Sequence, residues 1–257
     1  HYSMEKYQEA QIETEQTLDL QNKIYGHRNI PVAKSFNLKG NIFEKLSETE
    51  KSKQYLDSAL VIYTSIVNDK DHPLYGKLFN DIGIVEQKKE VISSSIDSYA
   101  ESLRIFEKLY GSIHPDISVG YTNVASLYRD IKSYPKAFKN IQKAMMANCI
   151  NFTDTSIFVN PESNIALSDF LLLKTSVLKC KTLQEWGDSL NKKGDENQSL
   201  KYYKAAIDNY FFCLKIINRL RNSYVSEESK IYLTEKVAFI YEDGISICRL
   251  INKKTND

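Results

Sequence analysis

Gly187-Asp188-Ser189-Leu190 spells the opening of a hydrolase motif, in which the serine must stand on a strand-to-helix turn beside a sheet. The residues around it repeat with helical rather than strand periodicity, so Ser189 is expected inside a helix, where it attacks nothing. His72 and His114 are the next candidates, as metal ligands. They lie 42 residues apart in equivalent loops, and neighbouring helical repeats stand roughly 10 Å apart, too far for one ion with ligand bonds of about 2 Å. Both are expected to cap turns instead. Cys149, Cys180, Cys213 and Cys248 are spaced by 31 to 35 residues, which gives no CxxC pair, no zinc-knuckle spacing and no redox motif. They read as buried, reduced thiols. No HExxH, GxxxxGK[ST] or strand-linked GxGxxG occurs. Asn151-Phe-Thr153 and Asn197-Gln-Ser199 spell glycosylation sequons, which carry no weight in a cytoplasmic chain. No catalytic residue, metal or cofactor is expected.

The elements that would position such residues are helices. The chain has 257 residues, 26% charged and 42% hydrophobic, with only nine Gly and five Pro, most of them between periodic segments. Lys+Arg number 34 against 33 Asp+Glu, so a net charge of +1 leaves no electrostatic footprint for nucleic acid or an anionic membrane. No apolar run approaches the length of about 18 residues that a membrane helix needs, and no leader pattern is visible. The expected compartment is the cytoplasm, which the reduced cysteines fit.

Small residues recur in three columns. The first is Gly40, Gly83, Ala125, Gly187; the second is Ala10, Ser52, Ser95, Ala137, Ser199, twelve residues after the first; the third is Thr17, Ala59, Ser102, Ala144, Ala206, seven after the second. Such residues let two antiparallel helices approach where a larger side chain would hold the backbones apart. Phe36, Phe79, Tyr121 and Leu183 precede the first column by four, one helical turn away on the same face. Pro31, Pro73 and Pro115 keep a spacing of 42 and are expected in first helical turns, where a missing N–H costs nothing. Tyr-Gly pairs at 25, 75 and 110 accompany them.

This pattern resembles the tetratricopeptide repeat, best in 121–144, "YTNVASLYRDIKSYPKAFKNIQKA", and again in 186–207 with its Gly194-Asp195 turn. The 42-residue period, the Tyr-Gly and His-Pro turns, and Asn37, Asn80 and Asn123 are similar to the long-repeat subgroup found in kinesin light chain and in many bacterial proteins. The departures are Lys39 in place of an apolar residue, Glu86 in place of an aromatic, and a fourth repeat arriving 62 residues after the third. The resemblance implies an all-α, right-handed α-solenoid of antiparallel helix pairs, about ten helices. Helices are expected at 4–24, 32–46 with 49–68, 74–89 with 92–110, and 116–131 with 134–148. An irregular link over 149–163 then leads to a fourth, longer pair and a last helix from Glu227, with Ser226 as N-cap and Glu227 and Glu228 in its first turn. The chain is expected to be one continuous solenoid, a half repeat plus three repeats over 1–148 and the rest over 164–257, preceded by at least half a repeat.

Arg219-x-Arg221, Ser226-Glu-Glu-Ser229-Lys230 and Tyr241-Glu242-x-x-Ile245 resemble the segment that joins tetratricopeptide arrays to caspase-like CHAT protease domains in bacterial proteins. That implies a sensing or substrate-recruiting fragment with a protease domain downstream; the alternatives are the sensor array of a histidine kinase or a stand-alone enzyme. In the family's register the first helices line a concave groove that binds a peptide or protein partner. The groove column is Lys34, Asn37, Asn41, Lys77, Asn80, Ile84, Thr122, Asn123, Ser126, Arg129, Lys181 and Asp188. Its asparagines offer donor and acceptor to a peptide main chain, and its lysines favour an acidic ligand.

Overall fold

The computed structural model describes residues 2–162 and 165–255, with side chains from residue 6 onward except at 227–229, 232, 235, 236 and 255. Ten helices order these residues: α1 (Tyr2–Tyr25), α2 (Ile30–Lys45), α3 (Thr49–Ile66), α4 (Pro73–Lys88), α5 (Ile92–Tyr110), α6 (Pro115–Asp130), α7 (Tyr134–Asn148), α8 (Asp169–Lys192), α9 (Glu196–Ser223) and α10 (Glu227–Thr255). Among the described residues there is no strand, only an isolated bridge between Cys149 and Ala166. The chain divides after Gly111 into two compact units. In the first, α2 pairs with α3 and α4 with α5, with α1 on α2 and α3 on α4; in the second, α6 pairs with α7 and α8 with α9, with α7 on α8 and α10 on α9. Expected boundaries hold to within a few residues, but the link runs to Ser168 instead of 163, inside the second unit.

The three prolines occupy first turns. Ahead of two of them stands a histidine whose Nδ1 accepts a backbone N–H, Leu74 N to His72 and Asp116 N to His114, both at 3.2 Å. Asn29 does the same for α2, taking Val32 N at 2.9 Å. His72 and His114 are therefore caps, as their spacing predicts. The Tyr-Gly pairs are not equivalent. Gly26 and Gly111 follow α1 and α5 at positive φ, whereas Gly76 lies within α4, where an added Cβ would meet the Phe106 ring at 2.8 Å.

Each first helix stops in one way. Ser47, Glu90, Lys132 and Gly194 take positive φ, and the next residue's N–H reaches back to an orphan carbonyl: Glu48 to Phe43, Val91 to Glu86, Ser133 to Tyr128, Asp195 to Leu190, at 2.8 to 3.0 Å. This six-to-one closure satisfies helix-end groups and turns the chain directly into the second helix.

The small columns sit where pairs touch. A Cβ on Gly40 would meet Leu56 at 2.7 Å, on Gly83 the Tyr99 ring at 2.7 Å, and on Gly187 the Tyr203 ring at 2.8 Å, while Ala125 is fully buried. The twelve-residue offset also places a serine under a glycine carbonyl: Ser52 Oγ donates to Gly40 O and Ser95 Oγ to Gly83 O, each at 2.8 Å. The third column is buried at Ala59, Ser102, Ala144 and Ala206, but Thr17 is exposed, because α1 turns Thr14 and Leu18 inward instead.

The two departures from an apolar pattern are buried and paired. Lys39, 3% exposed, donates to Glu15 of α1 at 2.7 Å and sits 4.7 Å above the Tyr55 ring. Burial alone would lower its pKa; the Glu15 carboxylate and Tyr55 more than reverse that and hold it raised. Glu86 accepts from Ser94 Oγ and Ser98 Oγ, both at 2.7 Å, which replaces an aromatic contact between α4 and α5 with a hydrogen-bonded one.

Candidate interaction surfaces

Gly187-Asp188-Ser189-Leu190 lies inside α8, with Gly187 against Tyr203 and Asp188 accepting from Tyr203 Oη at 2.6 Å. Ser189 therefore stands inside a helix and not on the strand-to-helix turn that the hydrolase motif requires. Burial and the bond to Asp188 push the Tyr203 phenol up to about 12. Among the described residues no group of three or more His, Cys, Asp or Glu is placed to hold a metal ion, and no helix is long and apolar enough to cross a membrane. Cys149, Cys180 and Cys213 are buried free thiols and Cys248 is half-buried. Burial pushes the Cys149 thiol up to about 12, which keeps it protonated and unreactive near neutrality.

In the first unit, α2 and α4 present Lys34 and Lys77 exposed, with Asn37, Asn41, Asn80 and Ile84 half-buried beside them. The asparagines are less open than their spacing suggests. Asn37 Nδ2 and Asn41 Nδ2 both donate to Asp81 Oδ2, at 2.8 and 2.9 Å, and Asn80 Nδ2 leans on Asp81 Oδ1 at 3.4 Å. Asp81 is thus the hub of a polar clamp between α2 and α4 that the column of candidates omitted. The same two helices meet at their ends, where Lys88 Nζ reaches Glu44 Oε1 at 2.6 Å and Glu44 O at 2.9 Å. Burial would raise the Glu44 carboxyl, but the Lys88 and Lys45 ammonium groups hold it below the usual range.

Asp81 behaves oppositely. Burial pushes its carboxyl up, with Glu44 adding to the effect, against the amides of Asn41, Asn37 and Asn80 that favour the carboxylate. A raised folded-state value means that the stabilising contribution is present below the ordinary aspartate range and is lost as pH rises through the folded value. Asp81→Asn keeps an acceptor for both amides without a buried charge, so its stability is expected within about 1 kcal/mol of the parent with that pH dependence removed. Asp81→Leu orphans both amides and is expected to cost about 2 to 4 kcal/mol. Chemical denaturation of the three proteins from pH 4 to 8 checks both outcomes.

In the second unit the candidates separate. Thr122 is buried, its Oγ1 donating to Ser118 O at 2.7 Å and facing Thr175 Oγ1 at 2.8 Å, so it joins α6 to α8 and is closed to a ligand. Asn123 is buried too. Ser126 and Lys181 are half-buried, Lys181 Nζ lying 4.9 Å above the Phe239 ring. Arg129 and Asp188 do come together, in an open polar cleft of about 490 Å³ lined also by Asp130, Lys132, Glu185 and Lys192. Arg129 reaches Asp130 at 2.8 Å and Glu185 at 3.9 Å, and burial holds the Glu185 carboxyl above its usual range. Both charge signs line this cleft, which suits polar groups more than a single charge.

No family model matches the chain. It is similar in structure to BtubC (BKLC) from P. vanneervenii, with a TM-score of 0.60 and 13% identity, over 86% of this chain and 77% of that one. The likeness shows a helical repeat fold. In sequence, 73 residues are 29% identical to the secreted RxLR effector protein RXLR-C07 of Plasmopara halstedii, 28% of this chain. That stretch spans 22% of the effector's length.

Proposed function

We propose that the chain is a protein-interaction scaffold whose first-helix faces hold a peptide or protein partner, with an acidic ligand favoured in the first unit. The observation that carries this reading is the exposure of Lys34 and Lys77, one repeat apart, beside a polar face already fixed by the Asn37-Asn41-Asp81 clamp. A preorganised face loses little freedom on binding, and two free cations select negative charge. The helical repeat fold supports the scaffold reading. On this reading the chain recruits substrates or senses ligands for a larger protein such as a CHAT protease, as the resemblance of 219–245 implies. The sensor array of a histidine kinase is the alternative within the same class.

Fluorescence anisotropy against a library of acidic and basic peptides tests the proposal. The Lys34→Glu/Lys77→Glu double variant is expected to weaken acidic-peptide binding about tenfold at low salt, less at high salt. Equal binding by parent and variant contradicts the groove assignment, and hydrolysis catalysed by the isolated chain contradicts the scaffold reading itself.

A further inference from the structure

Among the described residues, the one lysine counted with the largest fully buried side chains is Lys179 on α8, 1% exposed. It holds the irregular segment after α7. Its Nζ donates to Val159 O and Asn160 Oδ1, both at 2.8 Å, with Gln142 Oε1 of α7 farther off at 3.4 Å. Gln142, also buried, turns its Nε2 toward the same segment and donates to Asp154 O at 3.0 Å and Ser156 O at 2.6 Å. The segment in turn covers aromatic surface. Phe158 lies 5.6 Å from the Tyr202 ring under the Lys201 ammonium, and Tyr202 packs on Phe138 and Trp186.

We propose that 149–162 is a pH-dependent strap, closed over α7 and α8 while Lys179 is neutral and released when Lys179 takes up a proton. A neutral amine has two N–H groups, and two acceptors lie at short range, so it is satisfied where it sits. An ammonium brings a full charge into the same place. The titratable groups facing it are Asp154 from the segment, Cys180 from α8 and Cys213 from α9, while α7 contributes only the uncharged Gln142. The hydrogen-bond partners of Nζ, Val159 O, Asn160 Oδ1 and Gln142 Oε1, are all uncharged, so an ammonium there has no bonded counter-ion. Burial lowers the Lys179 pKa from 10.5 to about 7, against smaller opposing effects of Cys180, Asp154 and Cys213. Once the strap lifts, the amine meets water and regains its ordinary value. The closed form therefore binds the proton more weakly than the open one, and acid favours opening. The open-to-closed ratio rises about tenfold for each unit that pH falls toward 7 and levels off below.

Hydrogen exchange on the 257-residue protein reads this directly, at the strap amides of Ile150, Phe152 and Val159, which donate to Ile165 O, Cys149 O and Ser156 O. After correction for intrinsic exchange, protection at these amides is expected to fall about tenfold per pH unit from pH 9 to 7, and Lys179→Met to show a flat profile. A flat profile in the parent, or the same slope in both proteins, overturns the proposal. Should Lys179→Met fail to fold, titration of the parent's lysine ¹⁵Nζ resonances decides: a Lys179 value near 7 supports the strap, and one above 10 overturns it.

Discussion

Gly83→Leu is expected to lower the unfolding free energy by about 3 kcal/mol. The Tyr99 ring leaves no room for even a methyl group at residue 83, since a Cβ there would stand 2.7 Å from Cδ1 and Cε1. Tyr99 cannot swing away, because it is fully buried and its hydroxyl donates to Gln87 at 2.9 Å. The extra side chain must therefore push α4 and α5 apart, and that movement also stretches the Ser95 hydrogen bond to the Gly83 carbonyl. Gly83→Ala costs less, because a gain of about 1 kcal/mol in helix propensity offsets part of the overlap. Denaturant midpoints at constant m-value separate the two variants. The same ordering is expected at Gly187, which faces Tyr203.

Global stability is expected to rise by about 2 to 3 kcal/mol between pH 7 and pH 9, and Lys179→Met to abolish most of that rise. The sign follows from Lys179 alone. Its folded pKa of about 7 lies below the unfolded 10.5, so between these values the unfolded chain holds more protons and stability climbs with pH. Below about 7 Lys179 is charged in both states and contributes no further change with pH. Above pH 9 other groups turn the curve. Burial holds the Cys149 thiol and the Tyr63 and Tyr203 phenols up at about 12, so the unfolded chain ionises first and the protein loses that stability as pH rises. A maximum near pH 9 is the expected shape, checked by guanidinium titrations at half-unit steps.

Much of the fold was legible because close helix contact leaves a mark on residue size. Gly40, Gly83 and Gly187 announce the helix pairs, and Pro31, Pro73 and Pro115 announce the first turns, because only small residues fit the one and only a missing N–H is harmless in the other. Polar partnerships left no comparable mark. Asn37 and Asn41 look from their spacing like open amides, yet both are bound to Asp81, a residue 40 or more positions away whose role depends on how α4 lies on α2. Thr122 is hidden by Thr175 for the same reason, across 53 residues. Lys179 had no sequence signal, since its partners come from a segment without periodicity. Thr17 followed the column and still faces outward, because a column records spacing and not which side of α1 meets α2. Ser226 does stand immediately before α10, while the expected contribution of Glu227 and Glu228 lies outside the described side chains.

A double-mutant cycle over Gly83→Leu and Tyr99→Ala measures most directly whether the small-residue rungs are where the helices touch. If leucine at 83 is harmful because of the Tyr99 ring, removing that ring opens the space it needs. The double variant is then expected to be more stable than the sum of the single effects predicts, by about 2 kcal/mol. Additive costs within about 0.5 kcal/mol would mean that residues 83 and 99 do not meet, and the packing described for α4 and α5 would be wrong.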